Sequence, residues 1–177
     1  MKKFIICIFL LMSLILCSCS AGNTGTVQSQ FNLETNQNVV FNEVNLSLPI
    51  EWEENQSIKT ETETCFEEFD ANETEWKNLF SLVVYDDLVD NLDDGLKTME
   101  MMFSDSERYE IIYSADLTID GCAAKSITAK DIGEDGFYYK QTLLENSDRY
   151  VLISLTCKDE STLQDYDQII AYITVEP

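Results

Sequence analysis

The segment LTIDGCAA at residues 117–124 contains the strongest turn signal in the chain. At its centre is Asp120-Gly121, a dipeptide that favours a two-residue hairpin turn because both of its residues tolerate positive φ angles. Working outward from this turn, an alternation of period two predicts four strands, at about residues 109–119, 122–131, 137–145 and 149–157. Turns at 133–136 and 146–148 join these strands, so we predict an antiparallel meander.

Two segments change to a helical period. Residues 86–104 carry an apolar stripe at spacings of three and four, made of Leu88, Leu92, Leu96, Met99 and Phe103. Asp86 or Asp87 is expected to cap this helix, where a carboxylate also meets the positive end of the helix dipole. A final helix is predicted after the N-cap Ser161, with Leu163, Tyr166, Ile169, Ile170 and Ile173 on its apolar side. The fold class is therefore α+β, an antiparallel β-sheet with both helices packed on it.

The region before the first helix adds further strands. The apolar residues of 44–48 alternate with polar ones and predict a strand that stops at Pro49, with Trp52 at the turn that follows. Residues 57–69 are polar and β-prone. Residues 79–85 form a short apolar run, which predicts a buried strand.

Four stretches carry a family resemblance: VNLSLPIEW at 44–52, the strand at 79–85 with its acidic helix, TIDGCAA at 118–124 and YVLISLT at 150–156. Their order resembles the PsbP-like fold. An extrinsic subunit of the oxygen-evolving photosystem, a Ran-binding nuclear factor and many small bacterial lipoproteins of unassigned role share that fold. The resemblance covers about residues 41–175. It implies a binding or accessory module and supplies no catalytic residues.

The N-terminus has the form of a secretion signal. Lys2 and Lys3 precede an apolar run at residues 4–16. This run is shorter than the roughly 20 residues that a transmembrane helix needs, but it suits the hydrophobic region of a signal peptide. The LCSC that ends it, residues 16–19, resembles the lipobox of bacterial lipoproteins, with Leu at −3, small residues at −2 and −1 and the lipid-bearing Cys19 at +1.

Two alternatives compete with lipidation at Cys19. Cys17 is preceded by Leu16, and signal peptidases select small residues at that position. An ordinary secretory peptide cleaved near Ala21 would discard Cys19. We predict a lipoprotein signal peptide at 1–18, a flexible tether at 19–40 and a PsbP-like domain at 41–177. The two acyl chains of the anchor would hold the protein on the cell membrane, facing outside the cytoplasm.

Composition excludes several functional classes. Removing residues 1–18 takes away Lys2 and Lys3, which leaves nine of the 11 basic residues against 33 acidic ones and a formal charge of −24. Nucleic acid and anionic lipid headgroups are therefore excluded as electrostatic partners. The chain has no histidine, which removes Ser-His-Asp and Cys-His catalysis and histidine-bearing zinc sites. Lysine and carboxylate bases remain, but without a paired acid–base motif we predict neither enzymatic activity nor a cofactor.

Two acidic runs were tested as calcium sites. With Gly95 at position 6 of an EF-hand loop in 86–95, position 12 is Met101, which is not a ligand. The run at 131–136 fails in the same way, with Thr142 at position 12. A solvated helix face and a hairpin turn explain both runs, so we predict no metal ligands.

Five tyrosines lie on the predicted meander strands: Tyr109, Tyr113, Tyr138, Tyr139 and Tyr150. They could line a ligand face, since binding pockets combine apolar surface with a few polar groups. Tyrosine also favours strands for its own packing, which is the simpler interpretation.

Three cysteines follow Cys19 in the chain. The predicted register places Cys122 opposite Asn146 and Cys157 opposite Phe137, at distant ends of the meander. At about 3.3 Å per residue this separation is about 30 Å, whereas a disulfide needs Cα atoms within about 7 Å. We predict that Cys122 and Cys157 are not bonded to each other, so that any bridge would have to use Cys65.

Two functions fit these observations. The predicted one is a membrane-anchored extracytoplasmic lipoprotein that acts as a non-enzymatic binding or accessory module, with an envelope protein or a small ligand as partner. The alternative is a ligand-binding lipoprotein that feeds a transporter. The 159 residues after position 18 are few for a two-lobed solute receptor, which counts against the alternative.

Lipidation at Cys19 is directly testable. Radiolabelled palmitate should enter the wild-type chain and not Cys19→Ser, which should accumulate as the precursor because its cleavage site has lost the cysteine at +1. Cys17→Ser is the matched control and should label normally. Label that persists in Cys19→Ser and disappears in Cys17→Ser would show that the assignment is wrong.

Overall fold

The computed structural model describes residues 36–69, 76–85, 91–133, 136–147 and 149–176. Its elements in chain order are β1 (Asn36–Phe41), β2 (Val44–Pro49), β3 (Glu53–Glu54), β4 (Glu63–Phe69), β5 (Trp76–Tyr85), α1 (Leu92–Ser104), β6 (Tyr109–Ile119), β7 (Cys122–Asp131), β8 (Tyr138–Asn146), β9 (Arg149–Cys157), α2 (Thr162–Ala171) and β10 (Thr174–Val175). The predicted α+β class is confirmed.

The strands form two antiparallel sheets. The larger has seven strands in the order β3-β4-β5-β9-β8-β7-β6, and the smaller has three in the order β1-β2-β10. The small sheet and α2 cover one face of the large sheet, which we call the core face. Helix α1 covers the other, which we call the α1 face. The two predicted helices therefore pack on the sheet as expected, but on opposite sides of it.

The hairpin that opens the meander forms as predicted. Asp120 and Gly121 adopt φ angles of 47° and 83°, the positive values that a two-residue turn of this kind requires. All four meander strands lie within one residue of their predicted bounds. β7 pairs with β8 in the predicted register, for example Ala124 with Leu144.

The register of β8 on β9 differs from the prediction by one residue. Cys157 lies opposite Tyr138 and not opposite Phe137. The cause is the length of the turn, because Asn146 and Arg149 already pair and leave only two residues between the strands. The predicted turn had three.

The core face supplies most of the buried apolar surface. Its residues come from β5, β9, β2 and α2, and include Phe80, Leu82, Ile153, Leu155, Val44, Leu46, Leu48, Tyr166 and Ile169. The Phe80 ring is central to this cluster, with the Trp52 ring at 5.8 Å and the Tyr166 ring at 6.2 Å between centroids. Full burial of each large side chain contributes about 1.5–3 kcal/mol, so this cluster holds the two sheets together.

The α1 face is smaller. Met99 and Phe103, from the predicted apolar stripe, pack against Ile127 and Leu143 of the sheet. The Phe103 ring centroid lies 5.6 Å from that of Tyr109, in an edge-to-face arrangement. Within the described ranges, neither helix is long and apolar enough to cross a bilayer.

The helix starts correct two predicted details. α1 is capped by Asn91, whose side-chain oxygen accepts the backbone N–H of Asp94 at 3.0 Å, and not by Asp86 or Asp87. With Asn91 as its cap, α1 begins later in the chain than predicted. Residues 86–90 lie outside the described residues. Ser161 occupies the N-cap of α2 as predicted, but its side chain makes no capping hydrogen bond.

The small sheet contains two strands to which the sequence pattern assigns no range, β1 and β10. β1 begins at Asn36, inside the segment 19–40 that composition predicts as a tether. Because β1 is rich in amide side chains, it shows no hydrophobic periodicity. One of these amides stabilises the pairing: Gln37 donates from Nε2 to the carbonyl of Pro49 at 3.1 Å. β10 pairs with β2 on the other side. Residues 1–35 lie outside the described residues, so the signal peptide and the rest of the tether stay predictions.

A chain of buried hydroxyls links α2 to the sheet. The Tyr166 hydroxyl donates to Thr142 Oγ1 at 2.8 Å and also lies 3.0 Å from the carbonyl of Ile153. Thr142 donates to Ser126 Oγ at 3.1 Å, and Ser126 donates to the carbonyl of Gln141 at 3.0 Å. The three hydroxyl residues are all buried. Burial raises the pKa of Tyr166, which stays a neutral donor at any ordinary pH.

Removing the first hydroxyl of this chain should destabilise the protein. We expect Tyr166→Phe to lower the free energy of unfolding by about 1–3 kcal/mol, because Thr142 loses its buried donor. Urea denaturation followed by circular dichroism measures the change. Tyr113→Phe, at an exposed tyrosine of β6, should change stability by less than about 0.5 kcal/mol. Equal effects of the two substitutions would contradict a role for the hydroxyl chain.

Candidate functional site

The two edges of the seven-stranded sheet differ in how they meet solvent. One edge is β3, which has only two residues, both glutamate. A short charged strand is a usual way to protect an edge from pairing with another chain. The opposite edge is β6, which has 11 residues and, among the described residues, pairs only with β7. Its outer row of peptide groups is a template for a further strand.

Large apolar side chains are exposed along β6. Ile112 is 50% exposed and Tyr113 61% exposed, and they are flanked by the exposed Ile111 and Leu117. We call these four residues the β6 edge surface. β6 contains no lysine, arginine or proline, which are residues that commonly prevent an edge strand from pairing. The surface therefore combines unpaired backbone with apolar contact area.

A β-bulge divides this strand. Ile111 pairs with Ala129 and Tyr113 with Thr128, so Ile112 is an extra residue without a partner on β7. A bulge increases local twist and interrupts a flat edge. From Tyr113 to Ile119 the register with β7 is unbroken. This seven-residue stretch is the part of the edge that can pair regularly with another strand.

The charges around the β6 edge surface are mainly negative. Glu110 and Asp116 belong to the strand itself. Two lysines of β7 lie opposite them, Lys130 beside Glu110 and Lys125 beside Asp116. Lys125 forms ion pairs with Asp116 at 2.5 Å and with Asp93 of α1 at 2.8 Å. The hydrogen bonds that Lys125 donates to these two carboxylates raise its pKa, and the bond to Asp116 has the larger effect. Because two carboxylates share that one ammonium, one negative charge of this group stays uncompensated.

The beginning of β6 is fixed by an ion pair between the half-exposed Arg108 and a buried carboxylate. The Asp131 side chain is fully buried and accepts a hydrogen bond from Arg108 Nε at 2.9 Å and another from the backbone N–H of Gly133 at 2.8 Å. The Arg108 guanidinium holds the pKa of the Asp131 carboxyl below its ordinary value of 3.8. A Cβ at Gly133 would lie 2.9 Å from Asp131 Oδ1, so the loop after β7 must approach closely here.

This ion pair should give a pH-dependent term to stability. Because its pKa is lowered in the folded state, the ionised Asp131 carboxyl stabilises the fold at pH values above its ordinary pKa of 3.8. This contribution is lost as the pH falls through the folded-state pKa. We expect Asp131→Asn to be less stable than the wild type at pH 7 and to approach it as pH falls below about 4. Urea denaturation across this range measures the gap. The exposed Asp105→Asn should show no such convergence, and a pH-independent gap for Asp131→Asn would contradict the assignment.

The tyrosines singled out in the sequence do not form one ligand face. Tyr109, Tyr139 and Tyr150 lie on the α1 face and pack around that helix. Tyr138 is buried on the core face, and Tyr113 is exposed at the sheet edge. Successive residues of a strand point to opposite sides of a sheet, which separates Tyr138 from Tyr139. Packing explains four of the five, and only Tyr113 is available to a partner.

The acidic runs have structural roles where the structure describes them. In the run 86–95, Asn91 caps α1, and Asp93 and Asp94 are ion-paired with lysines at 2.8 Å and 2.9 Å. The run 131–136 begins with the buried carboxylate described above. In the described ranges, no group of three or more His, Cys, Asp or Glu side chains is arranged to hold a metal ion.

The cysteines after Cys19 are free thiols. Burial raises the pKa of Cys65 to about 11 and that of Cys157 to about 12, so neither is a thiolate nucleophile at neutral pH. The prediction that Cys122 and Cys157 are not bonded is confirmed. Cys19 lies outside the described residues, so its lipidation stays a prediction.

The β6 edge surface was not predicted from the sequence. The strand itself was, but a period-two pattern gives no information on which strand lies at an edge. One signal was present: Ile111, Ile112 and Tyr113 are consecutive and break the alternation. Three adjacent large apolar residues in a half-buried strand indicate a bulge, a feature that concentrates at sheet edges.

Comparison with known proteins supports the fold. No family model and no curated protein matches the sequence. Among solved structures, the chain is similar to cyanobacterial PsbP (CyanoP) from Synechocystis sp. PCC 6803, with TM-score 0.61 and 13% identity over 88% of this chain and 100% of that one. It is also similar to LpqN of Mycobacterium tuberculosis, described as involved in cell envelope biogenesis, with TM-score 0.59 and 10% identity over 80% of this chain and 91% of LpqN.

A third similar structure is a Pseudomonas aeruginosa protein described as a putative regulator of unknown function. Its TM-score is 0.54 at 14% identity, over 80% of this chain and 98% of that one. At such identities the likeness concerns the fold alone. The chain has the PsbP-like fold that its sequence resemblance implied.

Proposed function

We propose that this chain is a lipid-anchored, extracytoplasmic, non-enzymatic accessory module that binds a basic envelope protein by strand addition to β6. The observation that carries the proposal is the long β6 edge, which has no outer partner strand among the described residues and exposes Ile112, Tyr113 and Leu117. In strand addition, main-chain hydrogen bonds supply affinity, and alternate side chains supply specificity. The regular stretch from Tyr113 to Ile119 is long enough for such pairing.

The location in the envelope rests on two supports. The LCSC at residues 16–19 fits a lipobox that would place Cys19 at the mature N-terminus. In addition, LpqN, which shares the fold, is described as involved in cell envelope biogenesis. A tether of about 15 residues before β1 would let the domain reach partners near the membrane.

The chemistry of the chain supports binding over catalysis. There is no histidine in the sequence, and the two most buried thiols have raised pKa values. The conspicuous carboxylates of the described residues, such as Asp131 and Asp93, are held in ion pairs with Arg108 and Lys125. None of these groups is poised as a general base or a nucleophile.

The partner's charge follows from the electrostatics of the whole chain. The formal net charge is −22, and Glu110 and Asp116 add negative charge at the edge itself. A second acidic copy would be repelled, whereas a basic segment would be attracted and steered to the surface. Long-range attraction of this kind weakens with salt, since the Debye length falls from about 10 Å at 0.1 M to about 3 Å at 1 M.

Site-specific photocrosslinking in the native cells tests the proposal. The full-length chain carries p-benzoylphenylalanine at position 112 or 117, or at the control position 50. Ile50 is exposed and follows β2, away from β6. We expect positions 112 and 117 to give a shared adduct with one basic envelope protein, with a yield that falls at high salt. Position 50 should not give it.

A second variant links the adduct to strand pairing. Leu117→Lys places a positive charge on the edge and should abolish the adduct formed from position 112, while Ile50→Lys should not. An adduct with a second copy of the chain would contradict the proposed partner. Adducts at position 50 equal to those at 112, or none at either edge position, would contradict the proposed surface.

A further inference from the structure

The small sheet carries an open cavity that is lined by no residue of β6. Its volume is about 320 Å³, and its lining residues are Asn38, Val39, Val40, Asn45, Leu46, Ser47, Tyr172 and Thr174. They come from all three strands of the small sheet and from the residue that follows α2. The size is at the lower end of the range for small-molecule sites.

Strand register explains how this cavity is built. Asn38 pairs with Ser47, and Val40 with Asn45, so these four side chains share the outer face of the sheet. Thr174 of β10 continues the row next to Asn45. The intervening pair of Val39 and Leu46 points its side chains toward the core and contributes backbone to the floor.

The polar side chains of the cavity are partly paired with one another. Ser47 Oγ donates to Asn38 Oδ1 at 3.1 Å, and Asn45 Nδ2 donates to Glu176 Oε1 at 3.3 Å. An amide has a donor end and an acceptor end. Among the described residues, these hydrogen bonds occupy only one end of each amide. Asn38 Nδ2 therefore remains as a donor, and Asn45 Oδ1 as an acceptor, for a ligand in the cavity.

Two exposed apolar groups flank these amides. Tyr172 is 55% exposed and Val40 69% exposed, on the rim of the same cavity. A large aromatic ring held at the surface beside hydrogen-bonding amides provides a flat apolar platform together with directional polar contacts. No lining residue carries a positive charge, and Glu176 adds a carboxylate at the edge.

We infer that this cavity binds a neutral, hydroxyl-rich ligand of the carbohydrate class. A sugar hydroxyl both donates and accepts, which matches the free ends of Asn38 and Asn45. A pyranose also presents a face of C–H groups that can stack on the Tyr172 ring. Anionic ligands are disfavoured by the absence of a lining cation and by Glu176, because an unpaired negative charge would have to be desolvated there. The inference is independent of the β6 edge surface.

Titration with neutral oligosaccharides tests this site. The full chain, purified in a detergent that has no sugar headgroup, is titrated with maltotriose and with the trimer of N-acetylglucosamine, and amide shifts are followed by NMR. We expect at least one trisaccharide to bind with a Kd below about 10 mM. The shift changes should centre on β1, β2 and the residues after α2.

Substitutions make the inference specific. Tyr172→Ala and Asn38→Leu should each weaken binding by at least about tenfold. The matched control is Tyr113→Ala, which removes an equally exposed tyrosine at the β6 edge and should leave the Kd unchanged. Circular dichroism checks that each variant is folded. Binding of neither trisaccharide, or binding that survives both cavity substitutions, would overturn the inference.

Discussion

The structure depends on one constraint: the large sheet is apolar on both of its faces, so both must be covered. Two consecutive residues of β8 illustrate it. Leu143 points to the α1 face and Leu144 to the core face, and both are buried. Because successive side chains of a strand alternate between faces, one covering layer would leave one of them in water. The small sheet with α2 and the helix α1 are the two layers that meet this need.

Covering both faces does not cover the edges. The edge at β3 is limited by its two residues, but β6 has 11 residues and no strand beyond it among the described ones. An unpaired edge with exposed apolar side chains promotes aggregation of a monomer, but it gives a binding protein a surface on which a partner strand can pair. The bulge at Ile112 leaves one regular stretch of this edge for pairing with another strand, which would limit the partners that can pair there.

The strong negative charge has local compensation at the points that fix the fold. Arg108 neutralises the buried Asp131, and Lys125 ties α1 to β6 through Asp93 and Asp116. The remaining carboxylates lie mainly on the surface, where they favour solubility and repel anionic partners. Under the proposed function, this surface charge would act on the choice of partner.

Much of the fold could be predicted from local sequence. The Asp120-Gly121 turn, the strand pattern of the meander and the helical stripe depend on residues close together in the chain. The turn, the strands and the stripe from Leu92 to Phe103 are confirmed, and Leu88 lies outside the described residues. A turn has few allowed conformations, so its sequence specifies it directly. The β6 edge surface was harder to predict from the sequence. Only the break in alternation at Ile112 pointed to it, and that break does not say which side of the strand is open.

The sequence by itself determined the four meander strands, the presence of two helices, the fold class and the acidic character of the protein. Only the tertiary structure decided that α1 and α2 lie on opposite faces, that β1 pairs with β2, and that β6 is an edge. These features depend on pairings between residues far apart in the chain. β10, for example, joins β2 across about 130 residues. The free energy that stabilises these pairings comes from apolar area buried throughout the folded domain. No local sequence pattern encodes that area.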